Sequence, residues 1–186
     1  MKDLRVQRTY ILLKDALFKL LCKKTFEDIK VNDICNEAMI HRTTFYHHFQ
    51  DKYELLEFCV KDTEQEVLEK MNRTYKTTQE FYTNLVMILL EYIGEKKEIF
   101  QNILKHNSEN YITRLFMDTC VNYIYRMLKK EEDNGITHKA DMSAMSHFYA
   151  GAVISTIVWW IQSNSSLNEE ELCNMIISLI FDSPRS

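Results

Sequence analysis

Glycine and proline are scarce in this chain of 186 residues, which holds three glycines and one proline, Pro184. Because these two residues interrupt helices, nearly the whole chain is free to be helical. Three glycines cannot build a glycine-rich phosphate-binding loop, and the chain has no G-x-S-x-G or H-E-x-x-H motif. The sequence therefore predicts an all-α protein that is not an enzyme and needs no cofactor.

The five cysteines are far apart and include no C-x-x-C pair. Their odd number and irregular spacing argue against a disulfide framework and against zinc, and we interpret most of them as small buried apolar residues. A thiol sensor is the alternative. Three histidines, His41, His47 and His48, lie near Cys35, but adjacent helical residues point in different directions, so no metal site is predicted.

Uninterrupted apolar runs are short, and none approaches the roughly 20 residues of a membrane span. No secretion leader opens the chain, so we expect a cytoplasmic protein. Residues 1–56 hold ten Lys and Arg against eight Asp and Glu, a net charge of +2, whereas residues 57–186 hold 13 against 19, a net charge of −6. A locally basic face at the amino-terminal end suits a nucleic-acid partner.

The segment 31–56 has the spacing of a helix-turn-helix. Ile34 and Ala38 are four residues apart, as are Phe45 and Phe49, so each pair shares one helical face. Two short amphipathic helices joined by three residues must cross steeply to bury these faces against each other. The outer face of the second helix would then enter a DNA major groove.

This segment resembles the DNA-binding domain of the TetR family of bacterial transcriptional regulators. The resemblance implies a three-helix DNA-binding head at residues 1–56, a helical effector-binding and dimerisation domain at residues 57–186, and a homodimer. Two positions depart from the family pattern, because Met39 stands where a turn glycine is usual and His41 where a capping Ser or Thr is usual. The matching residues are Ala16, Phe26, Val31, Ile34, Ala38, Thr44, Phe45, Tyr46, Phe49, Lys52 and Leu55.

The predicted DNA contacts lie on and just after the second short helix. Arg42 offers a fork of donors that fits guanine O6 and N7, with a simple phosphate contact as the alternative. Thr43 and His47 are the other candidates for reading base edges. By the resemblance, the phosphate contacts belong to Thr44, Tyr46 and Lys52.

Apolar spacing and turn residues predict the remaining helices. The first helix carries its apolar stripe below the reading unit, and Asp51 opens a fourth helix as its N-cap, with Glu54 at the capping-box position. That helix runs to about residue 71, and five more are predicted at about 79–94, 96–106, 109–132, 140–163 and 168–181. The stripe of the first helix is Ile11, Leu13, Ala16, Leu17, Leu20 and Leu21.

The last two predicted helices are apolar enough to need a partner. Segment 147–161 is apolar almost all round, and segment 171–181 supplies a second apolar helix. The pattern is similar to the carboxyl-terminal end of one TetR subgroup, where this pair forms a four-helix bundle with its copy; a buried intramolecular core is the alternative. The predicted dimer interface consists of Phe148, Gly151, Ala152, Ser155, Trp159, Leu172, Ile176 and Leu179.

Aromatic stripes on the helices after residue 57 predict, together with the resemblance, a pocket for a small hydrophobic effector. A filled core is the alternative. The candidate lining residues are Phe81, Leu85, Leu89, Tyr92, Phe100, Ile103, Tyr111, Leu115, Phe116, Cys120, Tyr123, Met127, Phe148 and Trp159.

These features predict a transcriptional regulator, a ligand-responsive repressor that binds a near-palindromic double-stranded DNA operator as a homodimer. The alternative is a helical dimer that acts as a coactivator through a protein partner, with weak or no DNA contact. Met39 and His41 favour that alternative, because they alter the turn and the cap of the helix that would read DNA.

Overall fold

The computed structural model describes residues 4–71, 75, 77–107, 111–138, 140–163 and 165–181. Every regular element within these ranges is an α-helix, which confirms the all-α prediction. In the described ranges the helices are α1 (Leu4–Leu21), α2 (Val31–Ala38), α3 (Arg42–His48), α4 (Lys52–Glu69), α5 (Thr78–Gly94), α6 (Lys97–Asn107), α7 (Tyr111–Asp133), α8 (Met142–Gln162) and α9 (Glu169–Phe181).

The helix ends lie close to their predicted positions. α4 begins as predicted, because Asp51 Oδ1 accepts from the Tyr53 and Glu54 N–H groups at 2.8 and 2.9 Å. Glu54 reaches back to the N–H of Gln50, at 2.5 Å, instead of that of Asp51. The start predicted at 109 for the seventh helix lies outside the described residues.

The chain divides into two compact units. The first unit comprises Met1–Glu69 and Lys96–Thr113, so it holds α1 to α4, α6 and the first residues of α7. Its core is built on Leu13, Leu17 and Ile34, all fully buried. Ile11, predicted in the buried stripe of α1, is exposed instead, because two residues before Leu13 is a rotation of about 200° around a helix.

The second unit comprises Lys70–Glu95 and Arg114–Ser186, where α9 packs against α5 and α8 contacts α9. Trp160 is buried in it, and its indole N–H donates to the Leu167 carbonyl at 2.8 Å. Leu172 and Ile176 were predicted at the dimer interface, and this was wrong for both: they are buried in the core of this unit. They lie on the face of α9 that the chain itself covers.

Helix α8, with 21 residues, is the one helix of the described part that is long and apolar enough to cross a membrane. The core helix of a soluble protein meets the same test. In this unit α8 buries Ala150, Ile154 and Ile157 against the rest of the chain.

Candidate nucleic-acid interface

Helix α2 is anchored at its start by an acidic side chain. Asp33 Oδ2 accepts from the Lys30 N–H at 3.0 Å and from the Lys24 ammonium at 2.6 Å. The Lys24 bond, followed by the Lys30 bond, lowers the pKa of Asp33 below its ordinary value. The carboxylate therefore stays ionised at neutral pH and satisfies a backbone donor at the end where helices favour negative charge.

The turn between α2 and α3 is formed by a residue in the left-handed region. Met39 has φ 54° and ψ 42°, and in the described part of the chain it is the one residue other than glycine with positive φ. Its N–H donates to the Asn36 carbonyl at 3.2 Å, and the Ile40 N–H donates to the Cys35 carbonyl at 2.9 Å. The backbone thus adopts the conformation that suits a turn glycine, with a methionine in its place.

Helix α3 begins at Arg42 after His41, whose backbone is extended and whose side chain makes no capping bond. The His41 carbonyl accepts from the N–H groups of Thr44 and Phe45 at 3.0 and 3.1 Å. The expectation that His41 is a poor cap is confirmed, so α3 depends on packing to stay folded. Phe45, fully buried, and Phe49, with ring centroids 5.9 Å apart, supply that packing.

The opposite face of α3 is polar and open to solvent. Four of the predicted DNA-contact residues, Arg42, Thr43, Tyr46 and His47, are exposed, and Thr44 is half-buried. Arg42 Nη2 donates to the Tyr46 hydroxyl at 3.3 Å, and the guanidinium carbon lies 5.7 Å from the centre of the Tyr46 ring. This bond raises the pKa of Arg42, which keeps its charge, and it preorganises the side chain on the outer face.

The Lys52 ammonium is hydrogen-bonded to backbone carbonyls. Its ammonium donates to the carbonyls of Phe26, Glu27 and Ile29 at 2.8, 2.9 and 2.8 Å, and it also lies 4.7 Å from the centre of the Phe26 ring. An ammonium has three N–H donors, and three carbonyls take them. The predicted phosphate contact would require one of these bonds to be exchanged for DNA.

The effector-pocket candidates are divided between the two units. Phe100, Ile103 and Tyr111 belong to the first unit, where Tyr111 stacks on Phe26 and its hydroxyl donates to Glu57 at 3.3 Å. The other candidates belong to the second unit. Those on α7 are half-buried, namely Leu115, Phe116, Cys120, Tyr123 and Met127.

The buried polar groups that the sequence did not indicate include Asn107 and the hydroxyl of Tyr82. Asn107 is buried at the end of α6, and the Tyr82 hydroxyl on α5 is buried with no hydrogen-bond partner among the described residues. Burial, and then the nearby Glu131 carboxylate, raises the pKa of Tyr82. No spacing in the sequence distinguishes Asn107 from Asn102, the half-buried asparagine of the same helix, or predicts that the Tyr82 hydroxyl is buried.

Several predicted dimer residues form one exposed apolar stripe. Phe148, Ala152, Ser155 and Trp159 follow one another by four, three and four residues along α8, and all four are exposed. Leu179 on α9 is exposed as well, and we call these five residues the α8–α9 face. Gly151 borders this stripe on α8, and a methyl group built on it would meet no atom within 4 Å among the described residues.

The cysteines give little sign of reactivity. Cys35, Cys59 and Cys173 are buried free thiols, and burial raises the pKa of Cys59 to about 12. A thiol with so high a pKa holds almost no thiolate at neutral pH. In the described ranges no group of three His, Cys, Asp or Glu side chains could hold a metal ion.

Comparison with known proteins gives matches along most of the chain. Residues 13–59 match the model of bacterial regulatory proteins of the tetR family, and residues 84–182 match a model of a transcriptional regulator C-terminal region. The HTH-type dhaKLM operon transcriptional activator DhaS of Lactococcus lactis is 25% identical over 176 residues, which cover 92% of this chain and 88% of DhaS. An HTH-type transcriptional regulator of Staphylococcus aureus is 23% identical, covering 97% of this chain and 96% of its own.

Solved structures share the fold. A TetR-family transcriptional regulator from Syntrophomonas wolfei superimposes with a TM-score of 0.70 at 16% identity, and the match covers 93% of each chain. An identity this low shows the common fold and nothing finer.

Proposed function

The chain belongs to the TetR family of bacterial transcriptional regulators, and we propose that it reads a near-palindromic operator as a homodimer, in the cytoplasm. The observation that carries this proposal is the division of α3 into two faces. Phe45 is fully buried, while Arg42, Thr43 and His47 stand on the open side. A seven-residue helix that buries its aromatic face and exposes donors is suited to a major groove.

The roles on this face follow from the chemistry of each side chain. Arg42, Thr43 and His47 read base edges, and Arg42 contributes most because its fork fits guanine O6 and N7. Thr44 and Tyr46 contact phosphates through their hydroxyls. Tyr46 also orients Arg42 through the 3.3 Å hydrogen bond, so the two residues act together.

The dimer in this proposal forms through the α8–α9 face. Phe148 is 70% exposed and Leu179 is 72% exposed. Exposing large apolar side chains to water is unfavourable, and such a surface is typical of a protein interface. A two-fold axis lets each copy cover the same face of the other. In this proposal the two-fold axis also relates the two α3 helices, which enter successive major grooves roughly 34 to 36 Å apart.

The second unit is the proposed effector domain. Two features support a site for a small hydrophobic molecule that carries a hydrogen-bond acceptor. They are the half-buried apolar residues of α7 and the Tyr82 hydroxyl, which has no hydrogen-bond partner within the described ranges. Coupling between an effector site and a DNA site is typically about 1 to 3 kcal/mol, or about 5- to 150-fold in operator affinity. We propose repression as the regulatory outcome; DhaS, at 25% identity, is named an activator, so activation is the other outcome that a reporter gene would reveal.

Operator binding is tested with a duplex that the wild-type protein selects from a random-sequence library. Fluorescence anisotropy then compares the wild type with Arg42→Ala on this duplex and on an unrelated one. One bidentate base contact is worth about 1 to 3 kcal/mol, and a dimer loses one in each half-site, so we expect affinity for the selected duplex to fall by at least about 5- to 150-fold. Affinity for the unrelated duplex should change much less.

The control is Arg126→Ala. Arg126 is an exposed arginine of α7 whose guanidinium lies 5.8 Å from the centre of the Tyr123 ring, so it matches Arg42 in its tyrosine partner but not in its position. Its removal should leave the affinity for both duplexes unchanged. If the wild type selects no sequence, the coactivator alternative replaces this proposal.

A further inference from the structure

Asn107 is a buried polar residue whose bonds leave its own helix. It is the last residue of α6 and is 1% exposed. Ser146 is the other buried polar side chain of the described residues, and it bonds to the Met142 carbonyl of its own helix. A buried amide costs free energy unless its donors and acceptor are satisfied, so the partners of Asn107 matter.

Those partners are backbone groups at the end of α1 and in the middle of the α1–α2 connection. Asn107 Oδ1 accepts from the Phe26 N–H at 2.8 Å, and Nδ2 donates to the Leu21 carbonyl at 3.4 Å. Nδ2 also donates to the Ile103 carbonyl at 3.1 Å, which fixes the amide on α6. The hydroxyl of Thr113 donates to the Asn107 carbonyl at 3.0 Å, so the end of α6 is itself closed by a bond.

Phe26 connects this amide to the start of α4. Its N–H is held by Asn107, and its carbonyl accepts from the Lys52 ammonium at 2.8 Å. Its ring meets Tyr53 of α4 edge-on, with centroids 5.1 Å apart, and stacks on Tyr111 of α7 at 6.0 Å. The three helices α4, α6 and α7 therefore converge on one residue of the DNA-binding head.

The segment that contains α6 is joined to the second unit at both of its ends. Segment 96–113 belongs to the first unit by its contacts, whereas the residues on both sides of it, at 95 and 114, belong to the second unit. Any rearrangement of the second unit that moves the ends of this segment therefore acts on α6. The Asn107 side chain hydrogen-bonds α6 to Leu21 and Phe26, and the Cys22 thiol of the α1–α2 connection adds a longer bond, 3.8 Å, to the Ile99 carbonyl of α6.

We propose that Asn107 is a positioning residue for DNA binding: its amide keeps α6 attached to the α1–α2 connection, and so sets the head in the arrangement that binds the operator. This inference rests on the proposed function. It assigns a specific side chain to the coupling between the two units, and it places that side chain outside both the DNA-contact face and the effector candidates.

The test measures operator affinity and folding separately. Asn107→Ala and Asn107→Asp are compared with the wild type by anisotropy on the selected duplex, at a temperature where circular dichroism shows each variant fully folded. Alanine removes all three amide bonds. Aspartate keeps an acceptor for the Phe26 N–H, but it loses the donors to Leu21 and Ile103 and sets a carboxylate against their carbonyl oxygens. We expect the affinity of Asn107→Ala to fall at least about five-fold, and that of Asn107→Asp to fall at least as much.

Asn102→Ala is the matched control. Asn102 is also an asparagine of α6, but its amide donates to the Glu98 carbonyl within the helix, at 2.9 Å. It should leave operator affinity unchanged. A purely structural role for Asn107 predicts that its variants, while folded, bind the duplex like the wild type, and that result would overturn the inference.

A second measurement needs no variant and covers the case in which Asn107→Ala fails to fold. Amide hydrogen exchange of the wild type, followed by NMR, should show slower exchange at the Phe26 N–H when the selected duplex is bound, because DNA favours the arrangement that holds this bond. Unchanged exchange at Phe26 would contradict the inference. Failure of the wild type to select any duplex would instead reject the proposed function, so the two failures are distinguishable.

Discussion

The turn before α3 places Met39 in a strained backbone conformation. Met39 adopts φ 54° without the freedom of glycine, and its side chain is 92% exposed, so packing does not repay the strain. A residue with a Cβ in this region costs about 1 to 2 kcal/mol. Backbone strain that no packing offsets is typical of functional sites, where the local conformation serves function at the expense of folding stability.

Met39→Gly should therefore stabilise the protein. The relief of about 1 to 2 kcal/mol is partly offset by the greater freedom of glycine in the unfolded chain, about 0.5 to 1 kcal/mol, so the net gain is about 0 to 1.5 kcal/mol. Urea unfolding followed by circular dichroism measures it. Met39→Ala is the control, since it removes the exposed side chain and keeps the Cβ; equal stabilisation by both variants would contradict the strain argument.

The local conformation of a residue could be predicted from the sequence where the family pattern specifies the backbone. The missing turn glycine at Met39 and the missing cap at His41 were both visible in the sequence, because each is a substitution at a known place. The partners of Lys52 were not predictable. Its acceptors lie more than 20 residues earlier, at Phe26, Glu27 and Ile29, and only the folded chain brings them to it.

At the scale of the element, α4 is attached to the head at both ends. Lys52 holds its first turn, and Lys14 of α1 holds its second half through Asp62 and Glu66, each at 2.6 Å. Burial alone would lower the pKa of Lys14, but the bonds to Asp62 and then Glu66 raise it above its ordinary value. Helix α4 should therefore move together with the three helices before it.

Lys52→Met tests whether Lys52 stabilises the fold or contacts a DNA phosphate. Methionine keeps the apolar stem and removes the ammonium from three carbonyls. We expect the free energy of unfolding to fall by at least about 1.5 to 3 kcal/mol, the value of one hydrogen bond to a charged group. The slope of log affinity against log salt should stay as in the wild type. Urea unfolding and anisotropy at several salt concentrations measure the two quantities.

The control for this variant is Lys61→Met, because Lys61 is an exposed lysine of the same helix. It should change neither stability nor the salt slope. The opposite pattern for Lys52→Met, with stability kept and the slope reduced by about 0.9 per subunit, would show that Lys52 contacts a phosphate.

For the whole molecule, periodicity and turn residues were enough to predict the succession of helices, because each helix is a local pattern. The assignment of α6 to the first unit was not predictable. It depends on contacts such as the bond from Phe26 to Asn107, which joins residues 81 apart in the chain. The same limit applies to Phe100, Ile103 and Tyr111, which were predicted to line the effector pocket but belong to the first unit. Their apolar spacing does not reveal which core they join.

The sequence identified only part of the surface that is available for association with a second copy. The apolar character of α8 and α9 indicated a partner, but it did not separate the inner face of each helix from the outer one. The structure makes that separation, because Leu172 and Ile176 are buried while Phe148 and Leu179 are exposed. The outer residues are therefore the ones whose substitution tests association without disturbing the core.

Phe148→Glu combined with Leu179→Glu should convert the proposed dimer into a monomer. A two-fold axis doubles each change, so four carboxylates would be brought to one apolar interface, where unpaired charge is strongly unfavourable. Sedimentation velocity should show the monomer mass, and operator affinity should fall because one head contacts half of the site. Ile136→Glu is the control, since Ile136 is an exposed apolar residue outside the α8–α9 face, and it should leave the dimer intact. Because the two changed residues are exposed, circular dichroism should show the helices of each monomer preserved; a variant that stays dimeric would place the interface on another surface.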